Sequence, residues 1–100
     1  MYKKLKEANI PADYELHRYE LLPSFEYNGK KIRAITYLPD FVGDGFIIEC
    51  KGFRTDTWPL REKLFKYYLT KNNLNIKFYV VRNQKEVDKL VTELRKNYAE

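Results

Sequence analysis

The sequence predicts an α/β (α+β) domain, in which hairpin strands are followed by a helix, a buried strand and a closing helix, on three observations. Two turn pairs, Asn28-Gly29 and Asp44-Gly45, each separate runs of strand-forming residues. Such pairs are the strongest short hairpin signal, because a type I′ turn needs positive φ at both central residues. The run 76–81 is apolar and rich in β-branched and aromatic residues, so it reads as a buried strand. Helical patterns lie on either side of it.

In chain order, 2–9 reads as a short helix ending near Asn9, ahead of Pro11. Residues 13–22 and 24–28 carry the aromatic and aliphatic mixture of strands, interrupted by Pro23. After the Asn28-Gly29 turn, 31–42 and 46–51 form a central hairpin around Asp44-Gly45. A loop over 52–57 leads through Thr57 and Pro59 into a helix reaching about Lys71. The helix 84–98 closes the chain, with Val87, Leu90, Val91, Leu94 and Tyr98 on one face.

One hundred residues, 44% of them hydrophobic, suit one compact domain over 1–100, and no linker, repeat or low-complexity tract divides it. Nineteen basic residues against fourteen acidic give a net charge of +5, which favours a polyanionic partner. A single cysteine excludes an internal disulfide framework, and no Cys/His cluster suggests zinc. With no apolar run near membrane length and no signal-peptide pattern, the expected location is the cytoplasm.

The chemistry concentrates in the central hairpin. With Asp44-Gly45 as a two-residue turn, Gly43 pairs with Phe46, Val42 with Ile47, Phe41 with Ile48, and Asp40 with Glu49. Directly opposed residues share a sheet face with Cβ atoms about 4.5–5.5 Å apart. Like charges so placed repel unless a cation or proton sits between them. Lys51, two residues after Glu49, joins that face, while Cys50 turns into the opposite one and reads as a packing residue. A three-residue turn would shift the register by one and separate the acids. The plain alternative is a surface hairpin carrying ordinary charges. An aspartate at the hairpin-matched position, within apolar strands, favours a site. Asp40 and Glu49 suit hard divalent ions, which prefer oxygen ligands.

Tyr37-Leu38-Pro39-Asp40-Phe41 followed by Ile47-Ile48-Glu49-Cys50-Lys51-Gly52-Phe53 resembles the PD-(D/E)xK nuclease superfamily. The stretch 21–37 is similar to a group of small phage and prophage endonuclease-like proteins, and the hairpin is similar to phage Holliday-junction endonucleases. The resemblance implies a restriction-endonuclease-like αβββαβ core with a C-terminal helix, built on a four-stranded mixed sheet flanked by helices. It implies Mg²⁺ or Mn²⁺ at Asp40 and Glu49, with the backbone carbonyl of Cys50 as a further ligand. It also implies hydrolysis of DNA in a bacterial host cell, on branched or replication and recombination intermediates, with Lys51 orienting the attacking water or steadying developing charge. Cutting both strands would call for a homodimer.

Other residues have softer claims. Lys63 and Lys66, three apart on the helix after the hairpin, and Arg54 and Arg61 are candidates for phosphate contacts, against the reading of a solvated helix face. Tyr37 and Trp58 are the aromatics best placed to stack on bases, although most aromatics at such spacing are core. His17, in a strand of alternating character, reads as structural rather than as a general base.

The superfamily usually carries a further acid, most often Glu, on the helix before the first strand. Aligning 5–10 with the end of that helix places the acid ahead of Met1. Three accounts remain open: a truncated start, substitution by a nearby acid such as Glu7, or sufficiency of Asp40 and Glu49 for one metal. Glu15, Glu20 and Glu26 lie in strand-like segments of unsettled facing. The alternative function is a catalytically impaired DNA-binding module that retains the nuclease scaffold. A ribonuclease is weaker, because nothing here reads a 2′-hydroxyl.

Overall fold

The computed structural model describes residues 1–51 and 57–98. The expected loop residues 52–56, Arg54 among them, and the side chain of Tyr98 lie outside the described residues. The architecture is α+β: a four-stranded mixed sheet with helices against both faces, and two further two-stranded ribbons. The elements are α1 (Tyr2–Glu7), β1 (Ala12–Tyr14), β2 (Tyr19–Leu22), β3 (Phe25–Tyr27), β4 (Lys30–Ile32), β5 (Ile35–Tyr37), β6 (Phe41–Gly43), β7 (Phe46–Cys50), α2 (Trp58–Lys71), β8 (Lys77–Val81) and α3 (Gln84–Tyr98). The main sheet runs β1-β6-β7-β8, antiparallel except for the parallel pair β7–β8 that α2 connects. Read through α1, β1, β6, β7, α2 and β8, this is the expected αβββαβ core, and α3 follows it.

Two of the expected strands, 13–22 and 31–42, are each broken. Within 13–22, Glu15 takes φ 46°, which ends β1 and sends the chain away from the main sheet. Tyr19–Leu22 then pairs with Ile35–Tyr37, with a bulge between Glu20 and Leu22, and Phe25–Tyr27 pairs with Lys30–Ile32. The expected strand 31–42 becomes β4, β5 and β6, with Leu38, Pro39 and the bend at Asp40 dividing the last two. Proline has no N–H to give a ladder, so a buried Pro39 marks a natural break. Two ribbons are thereby inserted between neighbouring strands of the main sheet.

The central register is the expected one: Phe41 faces Ile48, Val42 faces Ile47, and Gly43 faces Phe46. The turn type is not. Positive φ falls on Gly45 (84°) and not on Asp44, so the loop departs from type I′. At the other turn both Asn28 (51°) and Gly29 (76°) have positive φ, as type I′ requires.

Alternation on β7 divides the core. Phe46 and Ile48 pack with Leu5, Ile10, Val87, Leu90, Val91 and Leu94, beneath α1 and α3. Ile47 packs on the other face with Tyr37, Trp58, Phe65 and Leu69, beneath α2 and the β2–β5 ribbon. The helix ends are closed locally. After α1 and α2 the asparagines Asn9 (φ 55°) and Asn73 (φ 53°) take the left-handed conformation. Their N–H groups donate to Lys6 and Thr70, while those of Ile10 and Leu74 donate to Leu5 and Leu69. These are Schellman closures. At the start of α3, the Asn83 side chain accepts from the Glu86 N–H at 2.9 Å, and the Glu86 carboxylate accepts from the Arg82 N–H at 3.0 Å. That reciprocal pair resembles a capping box and explains why the helix begins at Gln84. No described helix is long and apolar enough to cross a membrane.

Gly43 is a steric requirement of the hairpin. A Cβ there would stand within the van der Waals shell of the Phe46 ring, its direct cross-strand partner. Gly43→Ala is therefore expected to destabilise the protein by about 1–3 kcal/mol through overpacking. Adding Phe46→Leu should recover part of that loss. Urea unfolding of the single and double variants checks this, and an unchanged midpoint for Gly43→Ala would refute it.

Candidate functional site

Three of the predicted residues converge where β6 and β7 meet. Glu49 sits on the Ile47 face of β7, 5% exposed, and is the one buried charged residue among those described. Its carboxylate has two partners: the Tyr37 hydroxyl donates to Oε1, and Lys51 Nζ lies 3.2 Å from Oε2. Burial pushes the Glu49 carboxyl above the ordinary glutamate range, and the like charge of Asp40 adds to that shift. Tyr37 and Lys51 oppose it. The Tyr37 hydroxyl is itself pushed up, by burial first and then by its bond to Glu49, so it remains a donor at neutral pH.

Asp40 does not form the expected rung with Glu49. The β6–β7 ladder stops at Phe41–Ile48, and the chain bends at Asp40. Its carboxylate instead accepts the Cys50 N–H at 2.7 Å, and its carbonyl accepts the Glu15 N–H at 2.9 Å. Held from both sides, half-buried Asp40 still acts electrostatically on Glu49, Tyr37, Cys50 and Tyr14. Lys51 is fixed too: its N–H donates to the Val81 carbonyl at 2.8 Å, and its Nζ lies 4.6 Å from the centre of the Trp58 ring. That cation–π contact holds the ammonium group near Glu49.

Cys50 points to the opposite face, packed against the α1/α3 core, and burial pushes its thiol up to about 11. A protonated thiol there is a packing residue, as expected, and only the Cys50 backbone is available to a ligand on the Glu49 side. Lys63, Lys66 and Arg61 are exposed on α2. Lys66 pairs with Glu62 at 3.7 Å. Neither Lys63 nor Lys66 bonds Asp40 or Glu49, whereas Arg61 is close enough to oppose the upward shift of Tyr37.

The stacking role considered for Tyr37 and Trp58 is corrected by burial, at 4% and 3% exposure. Tyr37 packs edge-on against Phe65 and Phe78, and the Trp58 ring lies under Lys51. The Trp58 indole N–H is buried with no hydrogen-bond partner among the described residues. His17 lies outside any strand, exposed, with its ring 2.7 Å from Asp13. Glu7 faces a cleft between α1 and α3 with Lys4, Asp88 and Arg95, so it does not substitute as a third acid. Glu20 lies opposite Thr36, and Glu26 opposite Lys31, in the ribbons. No group of three or more His, Cys, Asp or Glu side chains that could hold a metal occurs among the described residues.

Residue types alone did not reveal the role of Tyr37. The expected strand 31–42 leaves its hydroxyl's partner open, and that hydroxyl finds Glu49 only because the β2–β5 ribbon folds back over β7.

The raised carboxyl of Glu49 has a consequence for stability. In the window between its unfolded and folded titrations the native state holds the extra proton, so stability falls as pH rises through that window. Above it, ionised Glu49 is a standing cost. Glu49→Gln is expected to raise the melting temperature at neutral pH, with the gain shrinking towards about pH 4. Thermal melts of both proteins across pH check this; a gap that widens on acidification would overturn it.

Comparison with known proteins adds one finding. No curated protein and no solved structure matches the chain. The family described as "Protein of unknown function (DUF1064)" matches residues 1–88. That covers most of the chain, including every strand of the main sheet together with Asp40, Glu49 and Lys51, and the protein therefore belongs to the DUF1064 family.

Proposed function

We propose that the protein is a metal-dependent endodeoxyribonuclease of the PD-(D/E)xK kind, hydrolysing DNA phosphodiester bonds at Asp40, Glu49 and Lys51. The observation that carries the reading is a carboxylate buried beside a second carboxylate, with a lysine held against it. A fold gains nothing in stability from that arrangement, since burying charge costs several kcal/mol per ion before compensation. The donor set fits a hard divalent ion: two carboxylates at the end of one hairpin, one of them raised partly by the other. Mg²⁺ or Mn²⁺, when bound, would neutralise the phosphate and lower the pKa of the attacking water.

The chain's own residues have separable tasks. Asp40 is pre-set by the Cys50 and Glu15 amides, so its carboxylate needs no reorganisation to act. Tyr37 fixes the Glu49 carboxylate from the interior side. Lys51, braced over Trp58, presents a fixed cation to charge developing on the phosphoryl oxygens. The net charge of +5 and the exposed Arg61, Lys63 and Lys66 supply attraction to the DNA backbone.

A second reading has its own support. The carboxylate of Glu49 already engages Tyr37 and Lys51, which suits a retired site in a DNA-binding module.

Incubation of the protein with Mn²⁺ or Mg²⁺ and labelled linear, single-stranded and four-way-junction DNA separates the two. Metal-dependent cleavage is expected, reduced by about 100-fold or more in Asp40→Ala and in Lys51→Ala, each assayed at a temperature where circular dichroism shows it folded. Salt-sensitive binding with no cleavage under either metal would instead establish the binding module.

A further inference from the structure

Asp40 also borders a cleft on the opposite side of the sheet from Glu49. Met1, Tyr2, Tyr14, Asp40, Phe41 and Cys50 line this cleft of about 390 Å³, within the roughly 300–1,000 Å³ range of small-molecule sites. Phe41, 3% exposed, lies at its base, while Tyr2 and Tyr14 are 55% and 51% exposed. Tyr14 lies 5.2 Å from Phe41 and 5.7 Å from Tyr2 between ring centres, so the three rings form a continuous wall. Two half-exposed tyrosines beside a half-buried carboxylate are not explained by core packing.

We propose that this cleft takes an unpaired nucleobase, so that the preferred substrate is DNA with an extrahelical or flap nucleotide next to the bond cut. The proposal rests on the nuclease reading and adds a substrate class to it. Tyrosine faces stack on any base. A carboxylate accepts hydrogen bonds from the amino and ring N–H groups of bases. Asp40 lines this cleft and also acts on Glu49, so a base lodged here holds its own phosphate beside Asp40. Lys6 lines an adjoining cleft that shares Tyr2 and Phe41, which puts a cation beside the path of the strand. An organic cation is the competing occupant. Tyr2 and Tyr14 meet at 71°, edge against face, and do not oppose each other across a central point as a cation cage would. A planar ring laid on one tyrosine fits better.

Equilibrium binding by the full chain, with divalent ions chelated and salt fixed, tests this. Three labelled duplexes of equal length are compared: fully paired, carrying one flap nucleotide, and carrying an abasic flap. The expected order is flap tightest by about tenfold, with the abasic form equal to the paired one. Tyr2→Ala and Tyr14→Ala should erase the preference while leaving paired-duplex affinity unchanged, at a temperature where both variants remain folded. Tyr14→Phe, which keeps the ring, should retain the preference and so guards against a misfolded variant. Equal affinity for all three duplexes, or a preference that survives the abasic change, overturns the proposal. So does saturable binding of tetramethylammonium, read by tyrosine fluorescence, without base discrimination. Cleavage of paired DNA by the tyrosine variants in Mn²⁺ keeps the two readings apart. A base preference without cleavage sinks only the nuclease, and cleavage without a preference sinks only the base site.

Discussion

The structure is organised around one uncomfortable burial, the carboxylate of Glu49. A charged group at 5% exposure beside a second acid is tolerated only when every available donor turns towards it. Tyr37 meets that need from β5, so the inserted ribbon is fastened to the central strand by a polar contact as well as by its apolar side chains. Lys51 meets it from the end of β7 and is in turn braced by Trp58 on α2. Two further elements, β5 and α2, are thus tied to one side chain of β7. The aromatic cluster of Tyr37, Trp58, Phe65 and Phe78 then keeps water away and makes the burial persistent.

Asp40 works in the opposite way. It lies at the break between β5 and β6, and its side chain and backbone accept from an amide of β7 and from the amide just past β1. It is consequently the one member of the site that reaches both faces of the sheet. Glu49 and Lys51 belong to the α2 face, while Tyr14 and Phe41 belong to the α1 side. A bend in place of a further ladder rung produces this double access. A regular strand would have confined Asp40 to one face by simple alternation.

Much of this was legible in the residues, and the remainder was not for physical reasons. The β6–β7 register could be read because Asp44-Gly45 fixes a two-residue loop and apolar alternation fixes the faces. The bounds of α3 could be read because its apolar spacing is unbroken, and the structure adds the Asn83–Glu86 closure at its start. Pro39 marks the break before Asp40, but the break at Glu15 was hidden. A glutamate at φ 46° has no compositional mark, and the pairing that stabilises it lies across the sheet with Asp40. The Tyr37–Glu49 contact was hidden for the same reason, since it depends on how two ribbons inserted in the sheet fold back. Trp58 reads as a stacking candidate, yet the start of α2 turns that position inwards.

The close approach of Gly43 to the Phe46 ring bears on how such a chain can drift in sequence. The two positions are direct partners, and the ring occupies the space that any side chain at 43 would need. Enlarging 43 first creates a clash, and shrinking 46 first opens a hole between β7 and the α1/α3 core. Neither first step is neutral, so the two positions are epistatic. Among diverging relatives they should be inherited as a linked pair, with the hairpin that carries Asp40 and Glu49 preserved by a constraint that involves neither acid.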